Sequence, residues 1–219
     1  MNALKAKLMI KRCFDVAVTL TVLVVSSPLW LVIAALAVLT QGRPVLFSQT
    51  RLGQHGHPFE LYKFRTMTST TDENGGLLDD ELRLTSIGRL LRKTTMDELP
   101  GLINVLRGEM SIVGPRPLLP EYEELYSLEQ WRRHEMKPGM AGPAVARGRN
   151  SLSWEDKLAA DVDYVDNWSL GLDLKVLALS VIKVFTGQGV SAEGHATMPR
   201  FTGTAGAHPA APDPSPHDT

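Results

Sequence analysis

Residues 13–42 read CFDVAVTLTVLVVSSPLWLVIAALAVLTQG, and from Phe14 to Leu39 the only charge is Asp15. An apolar run of this length can cross a bilayer, whose hydrocarbon core takes about 20 helical residues. Three readings compete. A signal peptide would explain the basic start and the small triplet Ala35-Leu36-Ala37, but this run is too long and carries Pro28 and Trp30 in its middle. A spanning anchor is the second. The third is a re-entrant hairpin, which enters and leaves by one face and needs a break at its midpoint. Ser26-Ser27-Pro28 stands there. Proline removes a backbone hydrogen bond and clashes with the preceding turn, and serine hydroxyls can bond the freed carbonyls. Each half then has about 13 to 15 residues, roughly 20 Å of helix, too short for a core of about 30 Å. Lys11 and Arg12 precede the run, and Arg43 and Arg51 follow it. Under the positive-inside tendency both ends face the cytoplasm. These features favour the hairpin, and a proline-kinked spanning helix stays open on the residues alone.

The chain has 219 residues, which suits one domain plus appendages. Its 23 Lys+Arg nearly balance 24 Asp+Glu, so charge gives no sign of nucleic-acid binding. A single cysteine, Cys13, excludes an internal disulfide and reads as a packing residue at the edge of the apolar run. The histidines form no H-E-x-x-H pattern, so no zinc site is expected, and His55 and His57 flank Gly56 in a solvent-exposed turn.

Beyond the apolar run, extended stretches at Pro44–Ser48 and Phe59–Arg65, joined by a turn from Gly53 to Pro58, predict a β-hairpin. On its second strand Lys63 and Arg65 share a face suited to phosphate or solvent. The polar, glycine-rich residues 69–78 read as a mobile loop. Helices are expected over 79–93, 121–136, 154–168 and 173–185, the last with Leu172, Val176, Leu179, Ile182 and Val184 as its apolar stripe. Some of these amphipathic faces suit headgroup depth as well as a core. Asp161-Val162-Asp163 has the form of a D-x-D metal site, but Asp166 continues it at helical spacing and the run reads as an exposed helix face. From Gly203 onward the composition predicts a disordered tail.

Residues 91–117 read LRKTTMDELPGLINVLRGEMSIVGPRP and place the acid pair Asp97-Glu98 between Arg92 and Arg116. Pro100 is tolerated only in a helix's first turn, and Leu99, Leu102, Ile103 and Leu106 follow at helical spacing. Thr95 with Glu98 fits a capping box, while Asp97 as N-cap would suit Pro100 better. Either choice puts two carboxylates at the positive end of a helix dipole, where they can bind a hard cation or act as a nucleophile. A plain capping cluster is the alternative on local sequence.

This stretch resembles the signature of the bacterial sugar transferases, more specifically the monotopic phosphoglycosyl transferases: R-x4-DELPQ-x2-N-x-L-x-G-x-M-S-x-VGPRP. The matching residues are Arg92, Asp97 to Pro100, Asn104, Leu106, Gly108, Met110-Ser111 and Val113 to Pro117. Gly101 departs from the usual glutamine. The resemblance extends to Lys11-Arg12, Ser27-Pro28, Tyr62 to Met67, Lys137-Pro138-Gly139 and Gly148-Arg149-Asn150, and so to residues 8–203. It implies an α+β fold: a re-entrant membrane helix-hairpin at 13–42, broken at Ser27-Pro28 after a basic flank at 1–12. A small cytosolic catalytic domain at 43–202 follows, made of a β-hairpin and several partly interfacial helices, with the tail at 203–219. It implies a bacterial inner-membrane enzyme on the cytoplasmic face. Such an enzyme moves a sugar-1-phosphate from a UDP-sugar to undecaprenyl phosphate and releases UMP, with downstream glycosyltransferases as further partners.

Carried over by motif, Asp97 is the nucleophile and Glu98 helps hold Mg2+ or Mn2+. Arg92 and Arg116 grip phosphate oxygens, and Lys63 is a further phosphate ligand with Arg65 behind it. Segment Gly189–Thr197, followed by Phe201, resembles members that use UDP-N,N′-diacetylbacillosamine to start N-linked glycans. UDP-glucose, UDP-galactose or an N-acetylhexosamine are the alternatives. A noncatalytic membrane scaffold and a lipid-diphosphate phosphatase are the competing functional classes. Intact Asp97, Glu98, Arg92 and Arg116 argue against the scaffold.

Overall fold

The computed structural model describes residues 3–144, 152–186 and 200–203. The motif residues Gly148-Arg149-Asn150, the segment Gly189–Thr197 and residues 204–219 of the expected tail lie outside the described residues.

The apolar run forms one helix, α1 (Ala3–Gln41), with Pro28 inside it, where the hairpin reading expects a break into two helices. Proline leaves the Val24 carbonyl without its ladder partner, and Ser27 Oγ donates to that carbonyl at 2.8 Å. Ser26 Oγ donates to Val22 O at 2.6 Å and accepts from Trp30 Nε1 at 3.1 Å. The midpoint is thus a polar repair built around proline. Leu20, Val24, Val25, Leu31, Val32 and Leu39 stand exposed along α1, an apolar surface that a soluble domain rarely presents.

Both halves of α1 rest on the same domain. Val18, Val22 and Leu23 pack on a core of Phe59, Leu61, Leu102, Val105, Ile112 and Tyr164. Beyond Pro28, Ile33 and Trp30 pack with Phe64 and Leu91, and the Trp30 and Phe64 rings meet edge-on at 5.3 Å. Polar contacts fix the N-terminal half. Asp15 is 3% exposed and accepts from Ser111 Oγ and Ile112 N. Lys11 Nζ donates to Val113 O and to Asp173 Oδ2, the latter at 2.7 Å. Arg12 donates to Val105 O and Leu106 O. Lys11 and Arg12 are therefore docking residues as well as flank charges. Cys13 is exposed and does not pack.

The hairpin is present, with β1 (Leu46–Leu52) antiparallel to β2 (Pro58–Phe64), Leu46 opposite Phe64 and Leu52 opposite Pro58. β1 runs four residues beyond the expected Ser48. His55 and His57 are exposed at the turn, as expected. The turn is anchored from outside by buried His134, whose Nδ1 lies 3.0 Å from Gly53 O and whose pKa burial pushes down to about 3. Residues 69–78 hold a defined turn, with Asp72 Oδ1 accepting from Asn74 N and Gly76 N.

Helix 79–93 is two pieces, α2 (Asp80–Arg83) and α3 (Ser86–Lys93), because the Thr85 side chain caps Gly88 N and starts a new helix. After α4 (Gly101–Arg107) comes β3 (Ser111–Val113), parallel to β4 (Gly139–Ala141). Between them residues 121–136 form short turns around α5 (Leu128–Trp131) rather than one helix. The last helices, α6 (Trp154–Asp166) and α7 (Leu170–Thr186), lie close to their expected bounds. The buried line of α7 is Asp173, Val176 and Ser180, while Ile182 is 56% exposed; the side chain of Val184 lies outside the described residues. Phe201 enters an aromatic cluster with Tyr122, Tyr126 and Trp154.

Asp173 also accepts from Tyr164 OH at 2.6 Å, so one carboxylate joins α1, α6 and α7. Asp173→Ala leaves the buried Lys11 ammonium with only the more distant Asp15 carboxylate, at 4.0 Å, and deprives Tyr164 OH of one acceptor, so it should destabilise the protein by about 3 kcal/mol. The check is thermal unfolding in nanodiscs, where a fall under about 2 °C would be worth less than 1 kcal/mol and would refute it.

Candidate active site

Glu98 lines a cleft together with Arg51, Leu61, Tyr62, Lys63, Met110, Arg116 and Met140. The acid pair lies on a 3-10 turn (Met96–Glu98) directly ahead of α4. Neither cap expected there forms. Thr95 takes a left-handed φ of 59°, its side chain bonds no backbone amide, and Pro100 occupies the N-cap position. The turn replaces the cap in aiming the two carboxylates.

Glu98 Oε1 accepts from Lys63 Nζ at 2.7 Å and from Arg116 Nη2 at 2.8 Å. Burial opposes its ionisation. The charges and hydrogen bonds of Lys63 and Arg116 outweigh that and hold the carboxyl far below the usual carboxylate range. Asp97 is different. Among the described residues it accepts no hydrogen bond, and burial first, then the Glu98 charge, raise its pKa against the pull of Lys63, Arg92 and Arg116.

Each cation is positioned by its own element. Lys63 comes from β2, which is tied to α4 through Asn104. That side chain is fully buried, accepts from Tyr62 N, and donates to Glu60 O and Glu109 Oε2. Gly108 ends α4 in the left-handed region at φ 83°, which turns the chain toward β3. Arg116 follows β3 on the Gly-Pro-Arg-Pro segment. A Cβ on Gly139 would lie 2.0 Å from Gly114 N, so glycine alone permits the close approach that seats this segment. Arg133 Nη2 then donates to Arg116 O at 2.5 Å and to Asp161 Oδ2 at 2.6 Å.

Arg92 donates to Thr66 Oγ1 at 3.0 Å and acts on Asp97 by charge rather than contact. Arg65 is occupied elsewhere, with Met67 O, Arg43 O and Ser69 Oγ as acceptors, so it does not join Lys63 at the site. Ser27 and Pro28 belong to α1, and Lys11 and Arg12 to its docking. Asp161 corrects the exposed-face reading of 161–163: it is 3% exposed and pairs with buried Arg133. Only Asp163 is exposed. Arg51, expected only as a flank charge, lines the cleft instead. Its place next to a Gly-rich turn carried no signal of this.

Two features test the pair as a cation site. Asp97 is unbonded, and Glu98 uses one oxygen for both cations and leaves Oε2 without a protein donor among the described residues. Hard carboxylate oxygens suit Mg2+. No cluster of three or more His, Cys, Asp or Glu that could hold a metal occurs among the described residues. Any such ion would therefore complete its shell with substrate and water oxygens.

The family model for bacterial sugar transferases matches residues 6–187. The chain is 52% identical over 197 residues to the uncharacterized sugar transferase EpsL of Bacillus subtilis, covering 90% of this chain and 98% of that one. It is 36% identical over 198 residues to the exopolysaccharide production protein ExoY of Rhizobium meliloti, covering 83% and 88%. It is 39% identical over 187 residues to the UDP-glucose:undecaprenyl-phosphate glucose-1-phosphate transferase of Caulobacter vibrioides, covering 80% and 70%.

Replacing Asn104 with leucine should orphan Tyr62 N–H and Glu60 O at about 1–3 kcal/mol each and let Lys63 drift from Glu98. Turnover per folded molecule, with folded protein counted by thermal unfolding, should fall at least about tenfold. Unchanged turnover would show that Asn104 does not position the site.

Proposed function

The chain belongs to the bacterial sugar transferase family, and from that premise we propose that it moves a sugar-1-phosphate from a UDP-sugar to undecaprenyl phosphate in exopolysaccharide assembly. The observation that carries this reading is the unbonded Asp97 beside a Glu98 held by Lys63 and Arg116. Asp97 Oδ attacks the β-phosphorus, the bond from that phosphorus to the UMP oxygen breaks, and UMP leaves. An oxygen of the lipid phosphate then attacks the aspartyl phosphosugar, forms the diphosphate link and frees Asp97. The two displacements divide one difficult transfer into two easier ones.

Asp97 and Glu98 would hold the magnesium ion, which when bound neutralises phosphate charge. Arg116 and Arg92 hold phosphate oxygens, and Lys63 adds a third cation. A UDP-hexose is the donor this reading favours, in keeping with the glucose-1-phosphate transferase named above. The bacillosamine donor stays the alternative, since the relative reported above with a sugar in its name points to UDP-glucose.

The nucleophile is tested by incubating protein, magnesium and radiolabelled UDP-glucose without lipid. A phosphosugar should appear on the peptide bearing Asp97, and Asp97→Asn should abolish it. An adduct on another peptide would sink the assignment.

Topology belongs to the same reading. UDP-sugars are cytoplasmic, so Asp97 faces the cytoplasm, and a re-entrant α1 puts both its ends there. The serine-capped Pro28 and the contacts of both helix halves with one domain support re-entry. In a Cys13→Ser background, Asn2→Cys and Gly75→Cys should both stay unlabelled by an impermeant reagent until cells are permeabilised. Labelling of Asn2→Cys in intact cells would mean a spanning helix.

A further inference from the structure

Glu98 is the one carboxylate lining the cleft among the described residues, and Lys63 and Arg116 share it. The third cation of that wall, Arg51, has no carboxylate. Its Nη2 donates to a neutral amide, Gln49 Oε1, at 2.7 Å. Its Nη1 has Pro117 O at the long distance of 3.5 Å, and its Nε is buried without an acceptor. A guanidinium so placed is unfavourable on its own account. Burial first, then the neighbouring Arg116 charge, lower its pKa, yet arginine keeps its proton at working pH. The lining side chains Arg51, Lys63 and Arg116 against Glu98 therefore leave two positive charges unmatched. A wall with two excess cations and unfilled donors fits a phosphate-bearing ligand.

Position separates Arg51 from the other cations. The charges acting on Asp97 are Glu98, Lys63, Arg92 and Arg116. Arg51 stands opposite Phe59 on the hairpin and Lys63 opposite Phe47, four residues apart along each strand, and Arg51 reaches toward the carbonyl of Pro117, the residue after Arg116. In-line displacement puts the leaving group opposite the nucleophile. Besides Lys63 and Arg116, the cleft lining offers a departing phosphate one cation among the described residues, Arg51.

We propose that Arg51 is a catalytic residue that binds the uridine-side phosphate of the donor, while Lys63, Arg92 and Arg116 hold the phosphate under attack. The proposal rests on the aspartyl-transfer reading. As the bond from Asp97 to the β-phosphorus forms and the bond to the bridging oxygen breaks, that electron pair stays on the oxygen of departing UMP. The Arg51 guanidinium stabilises the charge that develops there. Arg51 then serves the first half-reaction only, because UMP has left before the lipid phosphate attacks.

The test uses full-length protein in nanodiscs and the near-isosteric Arg51→Met, with Arg51→Lys beside it. Loss of a charge-assisted phosphate contact should slow adduct formation from UDP-glucose about 10- to 100-fold and weaken UMP inhibition by a similar factor. Adduct that has accumulated on prolonged incubation should be discharged by undecaprenyl phosphate at the wild-type rate. Arg51→Lys should recover part of the loss. UMP inhibition within about threefold of wild type overturns the proposal. So does a slowed discharge step with UMP unaffected, since the phosphate held would then be the lipid's. A merely structural role would slow both half-reactions together and lower the thermal midpoint, which also overturns it. Should wild-type protein form no adduct, the transfer reading fails. UMP binding measured by calorimetry then still decides Arg51, and equal affinity in wild type and Arg51→Met counts against it.

Discussion

The buried ion pair between Lys11 and Asp173 fixes the relation on which everything else depends: where the apolar helix sits against the domain that carries the acid pair. It is a pair at 2.7 Å with both side chains almost fully buried, reinforced by Asp15 on Ser111 and by Arg12 on the last carbonyls of α4. Removing charges from water is costly, and an apolar contact of the same size would often be as stable. What an ion pair adds is a single register. Hydrophobic contact lets a helix slide or rotate, whereas Lys11 meets both Asp173 and Val113 O at one position of α1 only. Under the proposed function, with one soluble and one lipid-borne substrate, register would set the height of Asp97 above the membrane. β3, which takes the Asp15 and Lys11 contacts, leads directly into the Arg116 segment. The anchor and the site thus share a strand.

The site itself is a problem in crowding like charges. Two adjacent carboxylates repel, and so do four cations. The structure lets Glu98 absorb Lys63 and Arg116, which fixes that carboxylate as an anion and holds both cations in place before substrate arrives. Such preorganisation lowers the reorganisation needed when charge develops in the transition state. Behind it, Arg133 and Asp161 form a second buried pair that grips the Arg116 carbonyl.

Much of this was legible in the sequence, for reasons that can be named. The acid pair, its arginines, the apolar run with its central Ser-Pro and the β-hairpin are local signals: a spacing, a periodicity, a turn. The structure keeps them. What was misread depends on distant partners. Asp161 lies in a helix whose local pattern suits an exposed face, and only Arg133, 28 residues away, makes its burial affordable. Arg65 shares a strand face with Lys63, but backbone carbonyls of a neighbouring loop claim it. Arg51 reads as a flank charge because nothing within ten residues hints that Pro117 and Arg116 will lie beside it. Helix ends misled in a simpler way: Thr85 is a strong N-cap, and inside an amphipathic stretch it splits one expected helix into two.

The same electrostatics bears on the proposal that Asp97, rather than Glu98, attacks. A nucleophile needs a lone pair that is not already committed. Glu98 gives one oxygen to two cations, and its charge is stabilised so strongly that its basicity, and with it its nucleophilicity, is low. Asp97 has no protein donor among the described residues and a raised pKa, so its oxygens are the more basic and the less encumbered. Cations around Asp97 oppose that rise, and an incoming metal or phosphate-bound cation would oppose it further. Two neighbouring acids in one turn are thereby made unlike: Glu98 organises charge, and Asp97 remains available to form a bond. The difference comes from which residues reach each carboxylate across the cleft, Lys63 from β2 and Arg116 from the segment after β3, and from the turn that presents Glu98 to both.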